Sequence, residues 1–124
     1  MPLDPIVCLG ERLYRIQRPF GRMPDGAGLA VSQVAVDSRG FVYAFRRAEP
    51  PVAVFDPEGH LVATWGAGRI GDAHGIAITP DDRVILVDRD THVVLVCTTA
   101  GEEVLRLGTA GRPRHGQPFN HPSD

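Results

Sequence analysis

Lysine is absent from this sequence: all 13 basic residues are arginine. Chemistry that needs a lysine, such as Schiff-base catalysis or a P-loop phosphate site, is therefore excluded. Cysteine is nearly absent too. Cys8 and Cys97 are too few for a disulfide framework or a C-x-x-C metal site. Two readings remain for them, a single bridge or two reduced, partly buried thiols. The second is favoured because a free cysteine packs as a small hydrophobe. No apolar run approaches the roughly 18–20 residues of a membrane span. The first ten residues lack the charged and long apolar regions of a signal peptide. The expectation is a cytoplasmic protein with no membrane partner. Charge of one sign is lacking as well: 15 acidic against 13 basic residues give a net charge of −2. That excludes a strongly basic nucleic-acid binder and a polyacidic tail.

Glycine and proline, by contrast, are plentiful. There are 14 and 11 of them in 124 residues, below the roughly 25–30% of a low-complexity chain. They recur evenly, and evenness points to a repeat. The segment from Gln33 to Gly66, QVAVDSRGFVYAFRRAEPPVAVFDPEGHLVATWG, superposes without a gap on Gly75 to Gly108, GIAITPDDRVILVDRDTHVVLVCTTAGEEVLRLG, at an offset of 42 residues. Ala35 falls on Ala77, Val42 on Val84, Val54 on Val96, Gly59 on Gly101 and Gly66 on Gly108.

Each unit reads as four short strands. In the first they are Val34–Val36, Phe41–Phe45, Val52–Phe55 and His60–Trp65. In the second they are Ile76–Ile78, Val84–Val87, Val93–Cys97 and Glu103–Leu107. Turns fall at Asp37-Ser38-Arg39-Gly40, Asp56-Pro57-Glu58-Gly59, Thr79-Pro80-Asp81-Asp82 and Thr98-Thr99-Ala100-Gly101. Strands of about five residues between such turns predict an all-β chain. No sustained 3.6-residue period predicts a helix.

Four strands in 42 residues is the size of one β-propeller blade. The expected organisation is an N-terminal segment over residues 1–30, with a lone outer strand at Glu11–Ile16. Blade one then covers 31–72, blade two 73–117, and a third blade begins at 118–124. Two blades leave a wedge with unpaired edges, and repeat folds generally need at least three units. The remaining blades, or further copies of this chain, are therefore the expected partners. Three copies would total six blades and set three His74 side chains about one axis.

The units resemble NHL repeats, with a lead-in HG or HP, an apolar strand, a D-x-x-G turn, then VY or VI. The longer string YRIQRPFGRMPDG, VSQVAVDSRGFVYAFRRAEPPVAVFDPEGHLVATWG, AHGIAITPDD and FNHPSD resembles the N-terminal part of peptidyl-α-hydroxyglycine α-amidating lyases and their bacterial NHL relatives. The similarity spans residues 10 to 124, somewhat under half of a six-bladed ring. The resemblance implies a catalytic zinc held by three His from different blades and a structural calcium in the channel. It also implies a small-molecule or peptide substrate, an α-hydroxyglycine cleaved to an amide and glyoxylate. His74, in AHGI, falls at a zinc ligand. Arg47, in AFRR, falls at the substrate-binding arginine. Val34 and Ile76 fall where backbone carbonyls bind calcium. The other two His, the base Tyr and a calcium-ligating Asp belong to blades not present in this sequence. Where the family carries Gly and then His after the arginine, this chain has Ala48 and Pro50.

On this reading the isolated chain is an inactive part of a lyase-like enzyme. Two further readings stand beside it, a non-catalytic NHL scaffold for protein or ligand binding, and a two-blade subunit that assembles into a ring. Each singled-out residue also has a plainer role. His74 can satisfy a turn, Arg46 and Arg47 can be a solvated pair, and His121 can be a channel residue with no aligned metal role. His60, His92 and His115 are expected to be exposed. Asp88 and Asp90 suit structural hydrogen bonds, and Trp65 suits packing.

Overall fold

The computed structural model describes residues 3–24, 30–113 and 118–123. Ten strands and no helix occur among them, so no helix is long and apolar enough to cross a membrane. The strands are β1 (Ile6–Leu9), β2 (Arg12–Arg15), β3 (Val31–Val36), β4 (Val42–Arg46), β5 (Val52–Phe55), β6 (Leu61–Trp65), β7 (Ala73–Ile78), β8 (Val84–Asp88), β9 (Val93–Cys97) and β10 (Glu103–Leu107). They form three antiparallel sheets: the hairpin β1-β2, a meander β3-β4-β5-β6 and a second meander β7-β8-β9-β10.

The sequence repeat is a repeat of register. Strands β7, β8 and β10 begin and end 42 residues after β3, β4 and β6. Val34 faces Ala44 as Ile76 faces Leu86. A bulge interrupts the first pairing between Val31 and Gln33, and its equivalent falls between Ala73 and Gly75. The first strands, β3 and β7, run longer than the apolar pattern suggested, because pairing resumes beyond the bulge.

Four turns of one kind set this register. In each, the fourth residue donates its N–H to the first residue's carbonyl, at 2.9–3.0 Å. The first side chain accepts amides ahead of it. Asp37 Oδ1 takes Arg39 and Phe41, Asp56 Oδ1 takes Glu58 and His60, Thr79 Oγ1 takes Arg83, and Thr98 Oγ1 takes Glu102. These are the local side-chain bonds that favour Asp and Thr at turn starts. The fourth residue lies at positive φ: Gly40 85°, Gly59 92°, Gly101 91°, and Asp82 59° where glycine is replaced. Asp82 takes on a second task there, accepting the amide and hydroxyl of Ser38 in the preceding sheet's turn.

The core lies between the two large sheets. Tyr43, Phe45, Val52 and Val54 meet Ile76, Val84, Leu86, Val93, Leu95 and Cys97. Each larger side chain contributes about 1.5–3 kcal/mol on burial. Trp65 packs against the same cluster, its ring so close to Gly101 that a Cβ there would lie 2.6 Å from it. The outer face of the first sheet, Ala44, Ala53 and Phe55, is covered by Met23 and by Gly21 against the Phe55 ring. Tyr43 donates its hydroxyl to Asp37 at 2.9 Å inside this core. Burial first, then the adjacent carboxylate, pushes the phenol up to about 12, so it remains a donor.

Three sequence expectations change. The lone strand at Glu11–Ile16 is instead the second arm of a hairpin, with Gly10 at φ 62° opening a two-residue turn that joins it to Ile6–Leu9. Cys8 is exposed on that hairpin, while Cys97 is fully buried, and both are free thiols. Burial pushes the Cys97 thiol up, which suits an unreactive packing residue. His92 is buried rather than exposed, because residues 118–123 fold back over it and the His121 amide donates to its Nδ1 at 3.0 Å. His60 is exposed as expected. His115, like the boundary residues at 25–29 and 114–117, lies outside the described residues.

Candidate functional site

The first strands of the two large sheets, β3 and β7, lie side by side. Two contacts join them. Ser32 donates its hydroxyl to the Ala73 carbonyl at 2.7 Å, and Ile76 donates its amide to Gln33 Oε1 at 2.8 Å. Ser32 and His74 are the extra residues of the two equivalent bulges. A bulge re-aims the side chain it carries. His74 is half-buried, and its Nδ1 lies 2.9 Å from the Ser123 carbonyl. A carbonyl only accepts, so Nδ1 carries a proton, and in the neutral imidazole Nε2 is then the nitrogen with the lone pair. Both bulge side chains thus hold a carbonyl of the chain that follows.

Arg47 follows β4 and is exposed. It shares one cavity of about 400 Å³ with Ala30, Val31, Ser32 and His74. Its guanidinium is anchored on the opposite side. Nε lies 3.2 Å from Asp72 Oδ1 and 3.5 Å from the Ala73 carbonyl. Arg89, the residue equivalent to Arg47 in the second unit, brings Nη2 to 2.8 Å from Asp72 Oδ2. Asp72 is therefore a carboxylate between two guanidiniums, its side chain 11% exposed. Both arginines are about half exposed, so solvent screens these pairs. Arg89 Nε is buried without a hydrogen-bond partner, and Asp72 Oδ2 has ion-pair contact without a directed hydrogen bond. This second cavity, about 470 Å³, also takes in Glu49, Gly71 and Asp90.

Asp88 fixes the loop that carries Asp72. Its carboxylate accepts the amides of Gly71 at 2.7 Å and Asp72 at 2.9 Å. Burial pushes the Asp88 carboxyl up, but hydrogen bonds from Thr91, Gly71 and Asp72 outweigh it and hold the pKa below 3.8. The structural role expected for this residue is the one observed. Arg46, by contrast, is no partner of Arg47. It is buried, and its Nε and Nη2 both donate to the Pro50 carbonyl. His121 stands edge-on to the His92 ring, 4.4 Å between centroids. Asp72 was missed in the sequence, although Arg47 and Arg89 at one repeat spacing mark the ends of its cluster.

The metal ligands implied by the resemblance fit only in part. A catalytic zinc takes three protein ligands. His74 offers one, with Nδ1 tied to a backbone carbonyl as metal-bound imidazoles usually are. Among the described residues no group of three or more His, Cys, Asp or Glu can hold a metal ion. Ile76 turns its amide away from β8 toward Gln33, and its carbonyl shares that edge. Val34 holds the same register in the first sheet. Two carbonyls fall short of the 6–8 oxygens of calcium. No known family model matches this chain, and no curated protein is significantly similar to it.

Proposed function

We propose that the chain is part of an NHL-type β-propeller of the peptidyl-α-hydroxyglycine amidating lyase kind. The two large sheets would be consecutive blades, and the hairpin β1-β2 the outer strands of another. The observation that carries this reading is the bulge at His74, which sets an imidazole with a free Nε2 on the same cavity as Arg47. In a complete ring His74 would be one of three zinc ligands, and the carbonyls of Val34 and Ile76 would face calcium in the channel. Zinc there would supply Lewis acidity to a substrate hydroxyl. Arg47 would hold the substrate carboxylate by its two Nη groups. A cytoplasmic location belongs to this reading.

The partners required are further blades or further copies of this chain, since the described residues bring one imidazole of three. The test is glyoxylate release from an N-acyl-α-hydroxyglycine, with zinc content measured on the same sample. It is run on this chain and on the longest product of its coding sequence. The expected result is release by the longer product alone, abolished by His74→Ala and reduced about 10²-fold by Arg47→Ala. A zinc-free, inert longer product would favour the scaffold reading. That second reading has its own support, for Arg47 already engages Asp72 and the Ala73 carbonyl.

A further inference from the structure

The geometry points to Asp72 and Arg89 as positioning residues that make Arg47 a preformed carboxylate seat beside His74. This deepens the reading above, resting on Arg47 as the cation that faces the ligand. Arg47 touches two cavities at once. On the Asp72 side its Nε–H is directed at the Ala73 carbonyl at 3.5 Å, and Asp72 Oδ1 lies in ion-pair contact with Nε at 3.2 Å. No described residue accepts a hydrogen bond from either of its Nη groups. A guanidinium gripped at Nε presents its two terminal nitrogens as a fork, and that fork matches a planar carboxylate.

Asp72 can serve as the grip only because it is itself held. Its backbone amide is fixed by Asp88, its carbonyl accepts the Arg89 amide at 3.2 Å, and its Oδ2 faces Arg89 Nη2. Arg89 sets a second guanidinium beside Asp72, in a cavity that Glu49 and Asp90 also line. The ligand class is a small monocarboxylate, with the remainder of the molecule directed along β7 toward His74.

Simple electrostatics and positioning make opposite forecasts for Asp72. Removing a negative charge next to an anion site tightens anion binding if only charge matters. It weakens binding if the carboxylate orients the arginine. The experiment is an NMR titration of the full chain in chloride-free buffer, following the amides of Ala73 and His74 and the Arg47 Nε–H. N-acetylglycine is the probe and N-acetylglycinamide the neutral control. Saturable shifts with the acid alone are expected, and their absence overturns the seat. Asp72→Asn is expected to weaken the acid at least about fivefold. Unchanged or tighter binding overturns the positioning role. Should Asp72→Asn fail to fold, Arg89→Lys keeps the charge but loses the planar fork. It should weaken binding by a similar factor, and unchanged affinity would sink the idea. No metal enters this titration, so failure of the lyase assay and failure of the seat are separate results.

Discussion

Asp37 and Asp88 show how this fold keeps buried carboxylates charged. For Asp37, burial raises the pKa, and hydrogen bonds from the Tyr43 hydroxyl and the Phe41 and Arg39 amides lower it by more. Asp88 has the same balance with Thr91, Gly71 and Asp72. A carboxylate whose pKa is depressed on folding stabilises the native state above its unfolded value, about 3.9. That stabilisation is lost as pH falls through the folded value. Urea midpoints should therefore drop between pH 5 and pH 2.5. Asp37→Asn should cost about 1–3 kcal/mol at pH 7 and flatten the acid decline. An unaltered pH dependence in that variant would refute the assignment. Asp37 was legible in the sequence as a turn residue, because its bonds reach only two to six residues along the chain. The burial of His92 was not legible, because its partner lies 29 residues away.

Among the elements, the two meanders were legible almost strand for strand, since apolar runs and turn residues are local signals repeated twice. The bulges were not, because an extra residue in a strand leaves no mark in the apolar pattern. The hairpin β1-β2 was read as one strand because IVCL is only four residues with no alternation. This hairpin differs physically from the rest. Every residue of both arms is exposed, including Ile6, Leu9 and Leu13. A two-stranded hairpin is marginal in water without a face to cover it. Its amides should exchange with deuterium within seconds to minutes, while those of β4, β5, β8 and β9 are slower by orders of magnitude. Equal protection in the hairpin and the meanders would show that something covers it in solution.

At the scale of the molecule, the core joins two sheets and stops there. Val34 and Val36 on β3 are 53% and 55% exposed, and Leu105 on β10 is 51% exposed. Apolar surface of this kind marks an interaction site or an aggregation liability. Sedimentation velocity should show concentration-dependent association. Val36→Glu with Leu105→Glu should shift it toward monomer with little change in urea midpoint. A strictly monomeric wild type across the concentration range would contradict this. The count of units raised the expectation of neighbours, but which apolar surfaces stay bare required coordinates.

Ser32 and His74 occupy one position in two copies of a unit, and each grips a carbonyl of the segment that follows it. A hydroxyl and an imidazole do that task equally well with a single atom. The imidazole has a nitrogen left over. Two different residue types therefore make the same fastening at this position, so the bond itself does not dictate the residue. The bulge thus carries a plain fastening in one unit, and in the other a fastening with a second ring nitrogen to spare.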